Sequence, residues 1–560
     1  MTTMPQHAST PPAGTGTIPQ SLSLKSLSTP FSRGSGSHHS HQSQHYQDHY
    51  KPYLREDLAH QYKPEIPFDV FLNDILCHGL SLDNADQLQN HEIVSDKQFQ
   101  TLLSKFCEPV HQETGHYTPF IELTNYVIGQ FNNPESRIVF CRNDPVSIRG
   151  SDAIRKPDVV VVLDKSLEVP ERGGVNNLMK GGPKQVPFWW TELLAFFEFK
   201  RVEKCLEPVR GDDCSSTFIF ILPFMRSIYG SVGVIGALPS PSTPRTTCDE
   251  HSLSMMNPHL ASPSLNPSAP ESKRSANTLS SNPSPRSKRQ KLDSPGIDTK
   301  TDTMLQCASY ALEILSHGGL RSHVIGASVT DGTIQLLYYD RSIILRSESL
   351  NFLENPSSFV AMLRAMCHHL PRSQLGHANL VTPPSFLESP RRSNDIFDGL
   401  TLTLNDGAGL RLGSIIHLQH GIIGRGTCVV RAMYIDGTRA HCDDVSWAGP
   451  LVVKLSWPAK STDSENDLIA KARTAADHAD HCWVVKHLPN VLQAEDRQIE
   501  SLSPALIARI GGAYKKRVLR IIVQEELYPI IERTNAVDLA QSFREVFKCR
   551  HFHSVSCCNG

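Results

Sequence analysis

The chain has 560 residues, enough for about three domains of ordinary size, and its formal net charge is only −2. This balance gives no reason to expect bulk binding to nucleic acid or anionic membranes, so any basic partner surface has to be local. No run of about 18 apolar residues and no secretory signal pattern occurs, which favours a soluble intracellular protein with no membrane partner.

Two low-complexity segments are expected to be disordered. Residues 1–60 form a tail rich in Ser, Thr, Pro, Gln and His, and residues 236–302 form a Ser- and Pro-rich linker. Neither composition buries enough apolar surface to fold.

The linker contains a basic cluster, Pro285-Arg-Ser-Lys288-Arg289-Gln-Lys291-Leu-Asp. This pattern resembles a monopartite nuclear-import signal, and Lys288, Arg289 and Lys291 are its central cations. It predicts a nuclear or nucleocytoplasmic protein with an import receptor as a partner. An ordinary solvated charge run is the alternative.

A folded block is expected over residues 66–235, continuing over 303–375 after the linker. Its predicted elements are the strands Val159–Leu163 and Leu193–Lys200, a helix over Met304–Leu315, and the strand Thr333–Tyr339. Short apolar runs rich in β-branched or aromatic residues indicate buried strands, and strands that alternate with helices indicate an α/β block.

Polar residues at the ends of these elements form a constellation. Asp158 precedes the first strand, Glu198 and Lys200 share one face of the next, and Gln306 and Tyr310 share one helix face. The set resembles the core of the PD-(D/E)xK nucleases with their Q-x-x-x-Y helix.

In such a nuclease, Asp158 and Glu198 would hold Mg²⁺, with Glu122 as a possible further ligand, and Lys200 would orient or deprotonate water. Nucleic acid would then be the substrate. Both parts of the motif also have a purely structural explanation. Glu-x-Lys is a common ion pair on a strand, and an acid before a strand is often a turn cap. The block could therefore keep a nuclease-like fold without catalysis.

The last block, over residues 400–550, shows an α+β pattern with a glycine-rich turn between two strands. Gly424, Gly426 and Thr427 lie in this turn, Lys454 lies on the next strand, and Glu465 lies in the first turn of a helix over 464–479. Such a turn lets backbone N–H groups approach phosphates, while the lysine supplies a point charge. Further strands are predicted over Leu488–Leu492 and Val518–Val523. This order is the layout of a protein-kinase small lobe.

Several separated motifs resemble the fungal-type protein kinase family. They are Arg155-Lys-Pro-Asp158, Phe197-Glu-Phe-Lys200, the helix over 306–310, Tyr339-Asp-Arg-Ser342, Gly424-Arg-Gly-Thr427 and Val453-Lys-Leu-Ser-Trp457. The resemblance implies a kinase-like domain preceded by an α/β region, with ATP and Mg²⁺ as ligands and phosphorylation of Ser/Thr on protein substrates. The identity of substrates or scaffolding partners does not follow.

A kinase also needs the tripeptides H-R-D and D-F-G, and neither occurs in the sequence. In the family, the catalytic loop should follow near residue 550, where residues 551–560 form an atypical tail. The expectation is a lobe truncated before its catalytic loop and an inactive pseudokinase. The alternatives are a Mg²⁺-dependent nuclease and a non-catalytic nuclear interaction protein.

Overall fold

The computed structural model describes most of the chain apart from its first 42 residues, a long central segment and the C-terminal end. The described residues are 43–59, 61–78, 84–131, 137–151, 153–168, 186–200, 299–367, 375–378, 380–382, 395–435, 449–478, 485, 487–527 and four single residues between 537 and 544. The basic cluster at 288–291 and most of the linker lie outside them. No helix in the described part of the chain is long and apolar enough to cross a membrane.

The first sheet has seven strands and is flanked by helices. In chain order the elements are α1 (Ser43–Ala59), α2 (Asn84–Ser95), α3 (Lys97–Phe106), α4 (Tyr117–Gly129), β1 (Ile138–Arg142), β2 (Val159–Leu163), β3 (Leu193–Lys200), α5 (Thr299–His317), β4 (His323–Thr330), β5 (Thr333–Asp340), β6 (Ile344–Arg346), β7 (Leu350–Asn351) and α6 (Pro356–Cys367). Short helical turns lie at Phe68–Phe71, Leu72–Leu76, Glu113–Gly115, Asp164–Leu167 and Trp190–Glu192.

The strand order is β1-β2-β3-β4-β5-β6, with β7 paired to β5. All neighbours run antiparallel except β3 and β4, which are parallel. A parallel pair requires a crossover connection, and α5 lies in it. The mixed sheet with helices agrees with the predicted α/β class.

Both faces of this sheet are buried, which explains the continuous apolar runs. On β2, Val159 and Val161 pack in one core cluster, whereas Val160 and Val162 pack in another. The first cluster includes residues of α4 and α6, and the second includes residues of α1 and α5. Since successive strand side chains point to opposite faces, four valines in a row suit a strand covered on both sides.

The prediction of a disordered tail over residues 1–60 is wrong for its last part, because α1 is helical. Leu54 and Asp57 are each only 2% exposed. Leu54 joins the same core cluster as α5. The polar composition hid this contact, because one buried leucine and one buried acid were enough to attach the helix to its neighbours.

The second sheet also has seven strands, in the order β13-β14-β12-β11-β10-β9-β8. Its elements are β8 (Val381–Thr382), β9 (Thr401–Thr403), β10 (Gly409–Leu418), β11 (Cys428–Tyr434), β12 (Leu451–Ser456), α7 (Glu465–His478), β13 (Val491–Arg497), α8 (Pro504–Ile510), a short 3₁₀ turn (Gly511–Ala513) and β14 (Leu519–Glu525). Every strand pair is antiparallel.

Two boundaries differ from the sequence predictions. The second sheet includes β8, which precedes the expected start of the block at residue 400. The strand predicted over Leu488–Leu492 begins only at Val491, because Pro489 has no N–H to donate to a neighbouring strand. In addition, α8 contributes Leu506 and Ile510 to the core cluster of the first sheet.

Candidate functional site

The end of β3 gathers most of the side chains that resemble a nuclease core. β2 runs antiparallel to β3 and pairs Val159 with Phe197, so Asp158, just before β2, lies beside the end of β3. Glu198 is at this end and is only 1% exposed. The ring of Tyr310, on α5, meets the ring of Phe196 edge-on, with 5.3 Å between the ring centroids.

A chain of hydrogen bonds connects these groups. Lys200 Nζ donates to Glu198 Oε1 at 2.6 Å, and the Tyr310 hydroxyl donates to Glu198 Oε2 at 3.2 Å. Gln306 Nε2 donates to the Tyr310 hydroxyl at 2.8 Å. The backbone N–H of Phe199 donates to Asp158 Oδ2 at 2.8 Å. The predicted residues Asp158, Glu198, Lys200, Gln306 and Tyr310 therefore form one network.

Burial dominates the electrostatics of the two carboxyl groups. It raises the pKa of Glu198, nearby Asp158 raises that pKa further, and Lys200 opposes both effects. Burial also raises the pKa of Asp158, although hydrogen bonds from the Phe199 N–H and from Tyr117 lower it. Two acids that share a low-dielectric site with one lysine resist carrying two charges at once.

Glu122 is not part of this network, contrary to the proposed metal set. It lies on α4, where its Oε2 accepts a hydrogen bond from Lys105 Nζ at 2.5 Å. The acid that reaches toward the site is Glu113, whose Oε1 accepts a hydrogen bond from the Tyr117 hydroxyl at 3.0 Å and whose charge raises the pKa of Asp158. No local sequence pattern distinguished Glu113 from Glu122.

The described side chains offer a magnesium ion few ligands. Mg²⁺ needs several oxygen ligands in octahedral geometry, and the two oxygens of Glu198 also accept hydrogen bonds from Lys200 and Tyr310. Within the described ranges, no group of three or more His, Cys, Asp or Glu side chains is arranged to hold a metal ion. The cluster therefore has the chemistry of a satisfied, buried polar network.

The second candidate site lies on the other sheet, between β12 and α7. Lys454 is in the middle of β12, where it pairs with Val429 of β11 and Ile522 of β14. Its Nζ donates to Glu465 Oε2 at 2.5 Å. The side chains are 25% and 40% exposed, so the ion pair is open to solvent and accessible to a ligand. The sequence predicted this strand, this helix start and this partner.

The glycine-rich turn is here called the glycine loop, residues 421–427, and it connects β10 to β11. Gly424 has φ 128° and Gly426 has φ 50°. Backbone angles in this left-handed range favour glycine, which explains both residues without reference to a ligand. The glycine loop could bind phosphates only through backbone N–H groups that are free to donate to a ligand.

Three N–H groups of the glycine loop donate within the protein. That of Ile422 donates to Asp57 Oδ2 at 3.0 Å, that of Gly424 to the Arg341 carbonyl at 2.9 Å, and that of Thr427 to Gln419 Oε1 at 3.1 Å. The loop is thereby held against α1 and the turn between β5 and β6.

Arg341 is the central residue of this attachment, and it was not among the predicted site residues. Its Nη1 donates to the Gly421 carbonyl at 2.5 Å and its Nη2 to the Leu315 carbonyl at 2.8 Å. The Tyr339-Asp-Arg-Ser342 motif contains it, so the signal was present in the sequence. Its role was not visible there, because Arg341 and Gly421 are 80 residues apart.

Part of the chain matches a known protein family. Residues 291–502, less than half of the chain, match the family model described as fungal protein kinase. The match includes α5, the glycine loop, Lys454 and Glu465, but not Asp158, Glu198 or Lys200. No curated protein and no solved structure matches the chain significantly. Over residues 291–502, the chain is thus similar to the fungal protein kinase family.

Proposed function

We propose that the chain is a fungal-type protein kinase relative whose second sheet binds Mg·ATP. The ion pair between Lys454 on β12 and Glu465 on α7 is the observation that supports this most directly. In protein kinases a strand lysine contacts nucleotide phosphates and is oriented by a helix glutamate. The family match over the same residues supports the assignment.

In this proposal, Lys454 contacts the nucleotide phosphates and Glu465 keeps its ammonium group in place. Backbone groups of residues 525–527, at the end of β14, would face the adenine. The magnesium ion arrives on the phosphates and neutralises part of their charge. No residue of this chain is assigned as its ligand, because no suitable cluster exists among the described residues.

The affinity is expected to be weak, because the glycine loop is already engaged. The N–H groups of Ile422, Gly424 and Thr427 would have to leave acceptors within the protein before they could bind phosphates. We therefore propose a dissociation constant of about 1 mM, equivalent to about −4 kcal/mol.

Calorimetric titration of the full chain with Mg·ATP tests this function. Lys454→Ala should weaken binding at least about tenfold, or 1.4 kcal/mol, because it removes the phosphate-binding charge. The variant should fold, since a solvent-exposed ion pair contributes only about 0–1 kcal/mol to stability. Lys471→Ala, which removes an exposed lysine from α7, is the matched control. Equal ATP binding by the wild type and Lys454→Ala would contradict the proposal.

Phosphoryl transfer is a separate property. The 560 residues contain no H-R-D and no D-F-G tripeptide, the segments that carry the base and a metal-binding aspartate in protein kinases. We propose that it binds nucleotide without transferring phosphate to proteins. Radiolabel transfer that disappears in Lys454→Met would show the opposite.

A Mg²⁺-dependent nuclease is the second candidate. Its support is the network of Asp158, Glu198, Lys200 and Tyr310, together with the position of α5 between β3 and β4. Because no group of three or more His, Cys, Asp or Glu side chains is arranged for a metal among the described residues, we propose a nuclease-like scaffold without cleavage. Cleavage of DNA or RNA by the wild type, lost in Glu198→Ala, would instead establish the nuclease.

A further inference from the structure

A small, partly open cavity lies beneath the glycine loop and has no assigned role. Its volume is about 20 Å³, and its wall includes Ser316, Arg321, Arg341, Gly426, Leu455 and Trp457. About one sphere of 1.4 Å radius is enough to hold a water molecule, so this space has room for one small guest.

The cavity is not the nucleotide site. On β12, successive side chains alternate between the two faces of the sheet. Leu455 and Trp457 belong to the core cluster of the second sheet and line the cavity. Lys454 lies on the opposite face, where it meets α7. A guest in the cavity therefore contacts the underside of the glycine loop and not the phosphates of a nucleotide on Lys454.

Two buried polar groups of the wall lack a hydrogen-bond partner in the described part of the chain. They are Arg341 Nε and Ser316 Oγ. The two residues are 5% and 2% exposed, so water from the surface does not satisfy them. A Cβ at position 426 would lie only 2.6 Å from Arg341 Nε, which places this N–H at the glycine wall of the cavity. An unsatisfied buried donor destabilises the fold, so a guest that accepts hydrogen bonds would be stabilised there.

The charge of the wall favours a negative guest. Arg321 and Arg341 both line the cavity, and none of the lining residues is Asp or Glu. The Nε, Nη1 and Nη2 atoms of Arg321 donate to the carbonyl oxygens of Gly318, Leu375 and Leu193, and its positive charge lies in the wall. Burial raises the pKa of the Cys428 thiol, also in the wall, to about 12, so this group is neutral. Asp57 and Asp340 interact with Arg341 electrostatically, but they do not line the cavity.

We propose that this cavity binds one monatomic anion of the size of chloride, held by the Arg341 Nε–H and the Ser316 hydroxyl. Both groups donate to such an ion, and two arginines balance its charge. The bound anion keeps the Arg341 guanidinium in the position from which it holds the Gly421 carbonyl. The site thus stabilises the attachment of the glycine loop to the first sheet.

Thermal unfolding of the full chain tests the site. Sodium chloride is compared with sodium gluconate, whose anion is too large for the cavity, at equal ionic strength. The unfolding temperature should rise with chloride and saturate, because an anion that binds only the folded state stabilises it by mass action. Bromide should act like chloride.

Ser316→Ala separates the site from general salt effects. The half-saturating chloride concentration should rise at least about tenfold, equivalent to 1.4 kcal/mol of lost binding. In gluconate, this variant should be at least as stable as the wild type, because an unsatisfied buried hydroxyl is removed. Ser309→Ala is the matched control on the same helix, since Ser309 Oγ donates to the Gln306 carbonyl and lies outside the cavity wall.

Two results would overturn the proposal. One is the same chloride response in the wild type and Ser316→Ala. The other is a crystal grown with bromide whose anomalous density lacks a peak between Arg341 and Ser316 and whose cavity holds only water. A saturating response confined to chains with Ser316, with the bromide peak in the cavity, would establish the site.

Discussion

Glu198 is a buried acid whose protonation is coupled to its surroundings. Lys200 and Tyr310 each donate to one of its oxygens, and Asp158 lies close enough to raise its pKa. Every donor is supplied by the protein itself. The stability of the first sheet should therefore depend on pH, in part through Glu198.

Glu198→Gln should change that dependence. Burial and Asp158 raise the pKa of Glu198 from 4.5 to about 8, so the folded protein binds this proton more tightly than the unfolded chain does. The contribution of protonated Glu198 to the stability of the fold is fully present below pH 4.5. It is lost as the pH rises toward 8. The variant cannot lose this proton, so its stability relative to the wild type should increase across that range.

Denaturant unfolding at several pH values measures the difference. Glu122→Gln is the control, because Glu122 lies outside the network and is paired with Lys105 near the surface. If the stability difference between Glu198→Gln and the wild type is the same at pH 5 and pH 8, roughly the limits of this titration, the raised pKa is wrong.

At the scale of elements, the turn between β5 and β6 connects the two sheets. Asp340 Oδ1 accepts hydrogen bonds from the N–H groups of Ser342 and Ile343 and shapes the turn. Arg341 then holds the glycine loop, and Ser342 Oγ accepts a hydrogen bond from Arg517 Nε at 3.0 Å. The turn between β5 and β6 of the first sheet therefore forms hydrogen bonds with the glycine loop and with Arg517 of the second block.

Arg341→Ala should destabilise the protein by about 2–4 kcal/mol. The reason is that the buried Leu315 carbonyl and the partly buried Gly421 carbonyl lose their donor, and an unsatisfied buried group costs about 1–3 kcal/mol. Arg346→Ala on the neighbouring strand is the control. Its exposed ion pair with Glu65 contributes only about 0–1 kcal/mol. Chemical denaturation compares the two, and equal losses would show that Arg341 does not join the sheets.

At the scale of the whole molecule, the predicted nuclear localisation depends on a segment outside the described residues. We propose that Lys288, Arg289 and Lys291 bind an acidic groove of an import receptor through charge-assisted hydrogen bonds. The protein would then be a nuclear interaction protein in addition to any nucleotide binding.

Replacing these three residues with Ala should move a fluorescent fusion of the full chain to the cytoplasm. The control replaces Lys273 and Arg274, a basic pair of the same segment that lies outside the motif. Unchanged nuclear accumulation of the triple variant would mean that the cluster is an ordinary solvated charge run.

Local chemistry in the sequence determined several of the elements. The strands Val159–Leu163 and Leu193–Lys200 were predicted with the observed bounds, because β-branched and aromatic runs bury both strand faces. The partnership of Lys454 with Glu465 followed from a strand and a helix start only 11 residues apart. Residues that share one element or two adjacent ones are positioned by local periodicity.

Only the tertiary structure decided how distant segments meet. Asp57 and Ile422 are 365 residues apart, yet their hydrogen bond fixes α1 against the glycine loop. Likewise, Glu113 and not Glu122 approaches Asp158, and Arg341 contacts a loop of another sheet. Such contacts depend on how whole elements pack. Hydrophobic periodicity indicates which face of an element is buried, but it does not indicate which other element covers that face.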